Sequence, residues 1–517
     1  MPKATACKAK ALMIQGTCSN AGKSLLVTAF CRMLSRTGLR TVPFKAQNMS
    51  LNSFVTRGGE EMGRAQALQA EACWLEPDVR MNPVLLKPVA SKGSQILLLG
   101  KPYGTLTSQD FQYFQKDLWQ TVKKAYRELV ADYDVVILEG AGSPAEINLR
   151  RHDIVNMRMA RFANADVLLA ADIDRGGAFA ALLGTMQLLT PRERTLIRGL
   201  ILNKFRGDQT LLQPALKRLE KMTKRPFFGI VPWIPDLGLP DEDSVSLKQG
   251  ERFPSAKPAK AIQQLDFAFI DLPHLSNATD VDPLLREKNL QLRIVRSAKD
   301  LGEPDCLLLP GSRNTGQDLA FLAQTGLDQA IRNYARQALE HGRGMLIGIC
   351  GGLQMLGTTL DDPLGLEGKR HCQGLGLFPM KTRLTNKKIL CRSQGLTTAS
   401  FGPAGLPVFG YEIHHGESSL ENTTLQTLFR DKHGKPLGYG LLDRQGQLRL
   451  WGTYLHGIFD SDSFRNALCN SLRRDRGLTE EAVSPYERET ALERLADCVE
   501  QAIPLQKILA LLDLDCH

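Results

Sequence analysis

The 517-residue chain has no apolar stretch long enough to cross a bilayer: its longest apolar runs, such as 135–138 and 167–171, fall far short of a spanning helix. Such a helix needs roughly 20 residues, so a transmembrane segment is excluded. Internal repeats and low-complexity tracts are also lacking, which argues against a repeat array or a disordered tail. The 11 cysteines are odd in number and show no tight repeating spacing. The basic start at 1–10 leads into an apolar run of only 11–14, too short for a secretory signal. These two absences exclude a disulfide-stapled secreted scaffold and predict reduced thiols in a cytoplasmic protein.

What is present is an ordinary globular composition, with 43% hydrophobic and 23% charged residues, enough apolar material for more than one core. The length is too great for a single small binding module. At roughly 100–200 residues per domain it allows three or four domains, or two if they are large α/β domains. Lys+Arg 65 against Asp+Glu 55 gives a net charge of +10, which favours anionic partners. Spread over this length, the excess fits phosphates or carboxylated small molecules and gives no pointer to nucleic acid.

Short β-type runs at 11–15, 135–138, 167–171 and 200–203 are each followed by Gly-rich punctuation and a helix-compatible stretch. That alternation predicts a parallel sheet with helices on both faces. The segment 247–260 is polar, basic and interrupted by two prolines, so a linker is placed at 247–262. The pattern then restarts at 265–270, 292–295, 306–309 and 345–349, predicting a second doubly wound α/β domain. Beyond Ser463 the chain turns charged and helix-prone, with Leu492, Leu495, Ile508, Leu509, Leu511 and Leu512 available to pack back. The expected organisation is a phosphate-loop domain over 1–246, the linker, a second domain over 263–462, and a helical tail over 463–517.

The first run leads into Gly16-Thr-Cys-Ser-Asn-Ala-Gly22-Lys23-Ser24 and then a helix-compatible segment. Glycine-rich amides at a helix start cradle phosphates, a lysine reaches the outer phosphates, and the following hydroxyl holds Mg²⁺. Five residues separate the two glycines where the usual loop has about four, so the loop is a variant. Glu139, closing the run 135–138, is the expected metal carboxylate, with Asp172 and Asp174 similarly placed at the end of the next run. Asn203 ends the fourth run, where its amide is expected to read a nucleobase.

In the second half, Gly348-Ile-Cys350-Gly351-Gly352 puts a cysteine at the exit of an apolar strand, in a glycine-flanked turn ahead of a helix. This is nucleophile-elbow geometry, in which neighbouring backbone amides bind an oxyanion and the helix start favours the thiolate. A nucleophilic cysteine needs a base, and His456, after the apolar run 448–454 and before a turn, is the candidate. His414 and His415 are expected to line the site.

Taken together, these residues resemble the cobyric acid synthase family, glutamine-dependent amidoligases of cobalamin biosynthesis, across essentially the whole chain. The second half is similar to triad glutamine amidotransferases through Gly348-Ile-Cys350-Gly-Gly, Leu309-Pro-Gly311-Ser-Arg-Asn-Thr315 and Thr453-Tyr-Leu-His456-Gly. The loop of the first half resembles that of dethiobiotin synthetase. Phe44-Lys-Ala-Gln-Asn-Met-Ser50, Asn82-Pro-Val-Leu-Leu-Lys87-Pro and Leu138-Glu-Gly-Ala-Gly-Ser143-Pro-Ala-Glu146 are closer to the amidoligase family itself. Many triad amidotransferases carry a glutamate two residues after the histidine, but here that position is Ile458. Glu412 or Asp460 is left to orient His456, or a dyad suffices.

The resemblance implies a P-loop ATP-dependent domain followed by a class I glutamine amidotransferase domain. It implies ATP and Mg²⁺ as cofactors, and a corrinoid, glutamine and ATP as small-molecule partners, with no nucleic acid or membrane partner and no assigned oligomeric state. Cys350 and His456 would release ammonia from glutamine, with Gly311, Gly351 and His414 holding the oxyanion and the glutamine. Thr17, Asn20, Gly22, Lys23, Ser24 and Asn203 would hold the nucleotide, and Ser24, Gln47 and Glu139 the metal. Lys45, Gln47, Asn48, Arg64, Lys87 and Arg175 would face the acceptor. The implied reaction amidates the b, d, e and g carboxylates of adenosylcobyrinic acid a,c-diamide through acyl phosphates. The nearest rival is cobyrinic acid a,c-diamide synthase, against which Gln47-Asn-Met-Ser-Leu-Asn52 weighs. A nucleotide switch of the partition-ATPase type predicts a degraded cysteine elbow, whereas Cys350 and His456 are both present.

Overall fold

Strands buried on both faces must be apolar throughout, and the runs of the first half meet that condition: Leu12, Met13 and Ile14 are fully buried in the computed structural model. The structure describes residues 9–89, 93–107, 111–240, 264–368 and 371–514. Six parallel strands form one sheet in the order Phe227–Pro232, Ile197–Phe205, Asp166–Asp172, Lys10–Gly16, Val135–Glu139 and Thr41–Phe44. The phosphate-loop strand Lys10–Gly16 is therefore flanked by the strands ending in Asp172 and Glu139. Helix Lys23–Ser35 follows the loop directly. A smaller sheet orders Gln47–Met49, Val84–Val89, Gly93–Leu98 and Lys101–Thr107.

The second half builds its own sheet, which begins as predicted: Leu290–Val295, Leu265–Ile270, Cys306–Leu309, Met345–Ile349 and Leu448–Thr453 run parallel. It is not parallel throughout. Pro436–Leu442, Gln426–Asp431 and the long strands Met380–Thr397 and Pro407–Leu420 extend it with antiparallel pairs. The period-two burial at Met380, Thr382 and Leu384, with Lys381 and Arg383 exposed, is the mark of a strand solvated on one face. The parallel-sheet expectation passed over it.

The described residues form two compact units. One draws on Met1–Ser50, Glu61–Glu242 and Glu487–His517, the other on Leu51–Glu60 and Asp243–Tyr486. The linker expected at 247–262 lies outside the described residues. The helical tail expected over 463–517 is divided between the units. Helix Asp462–Asp475 buries Phe464, Leu468 and Leu472 in the core of the second unit. Helix Arg488–Ala502 buries Leu492, Leu495 and Val499 with Phe30 and Leu34 of the phosphate-loop helix. Polar contacts fix the second placement. Arg32 is fully buried, donates to Glu489 at 2.6 and 2.9 Å, and lies 4.2 Å from the Trp74 ring centroid. A buried guanidinium needs such charge-assisted partners, and the late helix supplies them. Leu51–Glu60, by contrast, leaves the first half's sequence to join the second unit. Among the described residues no helix is long and apolar enough to cross a membrane.

Candidate active sites

At the phosphate loop, Gly22 takes φ 85°, and a Cβ there would stand 2.1 Å from Asn203 Nδ2, so only glycine fits. The cause of that closeness is the Asn203 amide, which donates to the Ala21 carbonyl at 2.9 Å. The side chain expected to read a nucleobase also braces the loop. Gly22→Ala should weaken nucleotide binding and cost about 1–3 kcal/mol of stability through left-handed strain, with the close approach adding to it. Nucleotide titration and thermal melting would check this, and unchanged values in both would contradict it. Lys23 Nζ donates to the carbonyls of Cys18 at 3.0 Å and Gly142 at 3.3 Å, which holds the ammonium between the loop and the turn after Glu139. Thr17 donates its backbone N–H to Ala170, and Asn20 adopts φ 61° at the exposed crest of the loop.

Glu139 is 1% exposed, and a carboxylate so buried must be hydrogen-bonded and neutralised. Ser24 Oγ donates to its Oε1 at 2.8 Å, Lys45 Nζ stands 2.7 Å from the same oxygen, and Gln69 Nε2 donates to Oε2 at 2.6 Å. Gln66 donates at 3.4 Å and in turn accepts from Asn48 Nδ2 at 2.8 Å. The expected residues Ser24, Lys45, Asn48 and Glu139 thus share one network, and sequence reading missed Gln66 and Gln69 within it. Gln47 Oε1 and Gln69 Oε1 are buried acceptors without a hydrogen-bond partner among the described residues. Gln69, Ser24 and Glu139 lie together and carry oxygens of the kind Mg²⁺ prefers.

Several of the remaining predicted residues are held in ion pairs. Asp172, a metal candidate, is paired to Lys204 at 2.9 Å and to Arg175 at 3.7 Å, and Asp174 is paired to Arg206 at 3.3 Å. Lys87 is buried in an ion pair with Glu61, and Arg64 is buried at the start of helix Arg64–Ala72.

In the second unit Cys350 joins strand Met345–Ile349 to helix Gly351–Leu356 at φ 50° and ψ −103°, a strained turn for a non-glycine residue. The glycines beside it are required by close approach. A Cβ on Gly351 would lie 2.6 Å from Ser312 N, and one on Gly352 2.0 Å from the Leu309 carbonyl oxygen. Gly311 comes up from the other side, where a Cβ would be 3.0 Å from His456 Cε1. Cys350, Gly351, Gly311 and His456 are thereby brought to one place.

His456 Nδ1 lies 2.7 Å from Asp280 Oδ2, and Asp280 Oδ1 accepts the Gly457 N–H at 2.8 Å. The group on the imidazole is therefore neither Glu412 nor Asp460. Burial disfavours charge on the ring, but Asp280 and Cys350 outweigh it and push His456 up to about 10. Glu412 serves His414 instead, at 3.4 Å, and accepts from Ser393 Oγ at 2.6 Å. Burial works against its charge, yet these bonds and Lys435 bring its carboxyl down to about 2. His414 stacks on Tyr454 at 3.7 Å between ring centroids, and its Nδ1 lies 2.8 Å from the Gly416 carbonyl. His415 Nδ1 lies 3.1 Å from the Thr385 carbonyl oxygen. Two cations have no role assigned from sequence: Arg313, inside the 309–315 motif, and Lys388, whose ammonium is pushed down to about 7 by burial and by Arg313, against a partial offset from Cys350.

Comparison with known proteins follows the same division. Residues 12–246 match the family model described as CobQ/CobB/MinD/ParA nucleotide binding domain, and residues 266–464 match that of the CobB/CobQ-like glutamine amidotransferase domain. A cobyric acid synthase of Nitratidesulfovibrio vulgaris is 46% identical over 535 residues, covering 98% of this chain and 97% of the relative. Those of Desulfitobacterium hafniense and Moorella thermoacetica are each 46% identical, over 513 and 519 residues. These alignments cover 97% and 98% of this chain, and 98% of each relative.

Proposed function

The chain belongs to the cobyric acid synthase family, and from that premise we propose that it amidates the b, d, e and g carboxylates of adenosylcobyrinic acid a,c-diamide with ATP and glutamine-derived ammonia. The observation that carries this reading is the Cys350, His456 and Asp280 constellation, on a chain whose other unit holds a phosphate loop against a buried glutamate.

In the glutaminase half-reaction, Cys350 Sγ attacks the side-chain amide carbon of glutamine. Amides near Gly311 and Gly351 hold the oxyanion, and His456 gives its proton to the departing ammonia. Water then attacks the thioester, with His456 taking a proton, and glutamate leaves while the thiol is restored. Asp280 fixes the Nδ1–H so that the other ring nitrogen faces the thiol. In the ligase half-reaction a carboxylate oxygen takes the terminal phosphoryl group of ATP, giving an acyl phosphate and ADP. Ammonia forms the C–N bond as inorganic phosphate leaves with the C–O bond broken. Activation is needed because a carboxylate is a poor electrophile. Lys23 and the loop amides bind phosphates, while Ser24, Glu139 and Gln47 would hold Mg²⁺, whose charge offsets that of the phosphates.

Asp280→Asn should lower glutaminase kcat by roughly 10²–10⁴-fold, since an amide at this position favours the wrong imidazole tautomer. The raised imidazole pKa also sets a sign. Activity that needs charged His456 persists up to about pH 10, and losing the Asp280 charge should move that high-pH limb downward. Glutamate release measured across pH checks both, and an unchanged profile would remove Asp280 from the relay. The substrate assignment is tested by incubating the a,c-diamide with glutamine and Mg-ATP and counting new amides by mass spectrometry. No added amides would overturn it.

A further inference from the structure

The glutaminase base is braced by a piece of chain that the first half's sequence contributes. Strand Gln47–Met49 belongs to the first unit, but the following Leu51–Glu60 belongs to the second. Within that segment Ser53 and Val55 are buried. Ser53 N–H donates to Asn277 Oδ1 at 3.0 Å, and the Val55 carbonyl accepts from Arg392 Nε at 2.9 Å. Phe54 lies between them, edge-on to Tyr411 with centroids 5.5 Å apart and with the Arg392 guanidinium 4.9 Å from its ring centroid.

Both of the segment's inner partners lead to His456. Asn277, held at φ 52°, opens the turn Ala278–Val281 and accepts the Asp280 N–H at 3.0 Å, so the residue that tethers Ser53 also sets the carboxylate that holds Nδ1. Tyr411 stacks on the His456 ring at 5.6 Å and 26° and exchanges two backbone hydrogen bonds with it, at 3.1 and 2.9 Å. Ser53 thus bonds the side chain of the residue whose backbone carbonyl holds the Asp280 N–H, and Phe54 packs on the ring that backs the imidazole.

We infer that Leu51–Glu60 is a positioning strap for the glutaminase, with Ser53 and Phe54 fixing Asp280 and His456 through Asn277 and Tyr411. The inference rests on the glutaminase reading above, in which Cys350 is the nucleophile. One consequence is that the amidotransferase sequence cut at 263 lacks part of its own catalytic support. A misplacement of about 1 Å in a catalytic group costs on the order of 10²-fold, which sets the scale expected for loss of the strap.

The test uses the full chain. Phe54→Ala should lower glutaminase kcat by roughly 10–10²-fold with KM for glutamine little changed, and should move the high-pH limb downward. Phe54→Tyr, which keeps the ring, should restore both, and amidation driven by added ammonia should persist in each variant. Asn277→Gly tolerates the left-handed turn while removing the tether, so it should reproduce the kcat and pH effects without Phe54 being touched. Parent-like kcat and pH profiles in Phe54→Ala and Asn277→Gly would overturn the strap. So would a loss of kcat that Phe54→Tyr does not restore. Cys350→Ala, run alongside, separates the two readings: glutaminase activity surviving in that variant would overturn the glutaminase assignment itself, whatever the strap variants do.

Discussion

Cys350→Ala is expected to abolish glutamine-driven amidation, by on the order of 10⁶-fold, while amidation driven by ammonium salts continues. The size follows from the chemistry, because removing the nucleophile of a covalent mechanism leaves His456 and Asp280 with nothing to activate. The separation follows from the structure. Cys350 lies at a strand exit in the second unit, close to Gly311 and His456, whereas the phosphate loop and the Glu139 network lie in the first. Steady-state assays with glutamine and with ammonium as alternative nitrogen sources would measure both. Loss of both activities in a folded variant would contradict separable half-reactions.

The complementary substitution, Lys23→Ala, should remove both glutamine- and ammonia-driven amidation, by roughly 10³–10⁵-fold, the scale on which cationic groups stabilise a transferring phosphoryl group. Lys23 is 6% exposed and is held by the Cys18 and Gly142 carbonyls, which fixes its charge beside the loop. Alkylation of Cys350 by a glutamine-like chloroketone should continue in this variant. Full retained amidation would remove the loop from the mechanism.

What the sequence made legible was local. Gly16 to Ser24 and Gly348 to Gly352 are short segments in which glycines announce backbone that other residues cannot occupy, and each sits between a readable strand and a helix. Asp280 was not legible because it meets His456 across 176 residues, from a turn without a recognisable pattern. Gln66 and Gln69 lie outside any motif, and only the fold brings them onto Glu139. The strap at Leu51–Glu60 was hidden for the opposite reason: it follows directly on a family motif, and chain continuity assigned it to the first half. The helical tail was readable as helix, but its division was not, because the choice of partner rests on Arg32 meeting Glu489 across 457 residues.

The central claim is that one chain releases ammonia from glutamine and consumes it in ATP-dependent amide formation on a corrinoid. It is tested most directly by supplying the full-length protein with adenosylcobyrinic acid a,c-diamide, Mg-ATP and glutamine carrying heavy nitrogen in its side-chain amide, then weighing the corrinoid product. Heavy nitrogen in each new amide, with one glutamate and one ADP formed per amide, is the predicted result. Glutamate and ADP formed without heavy nitrogen entering the corrinoid would contradict the account.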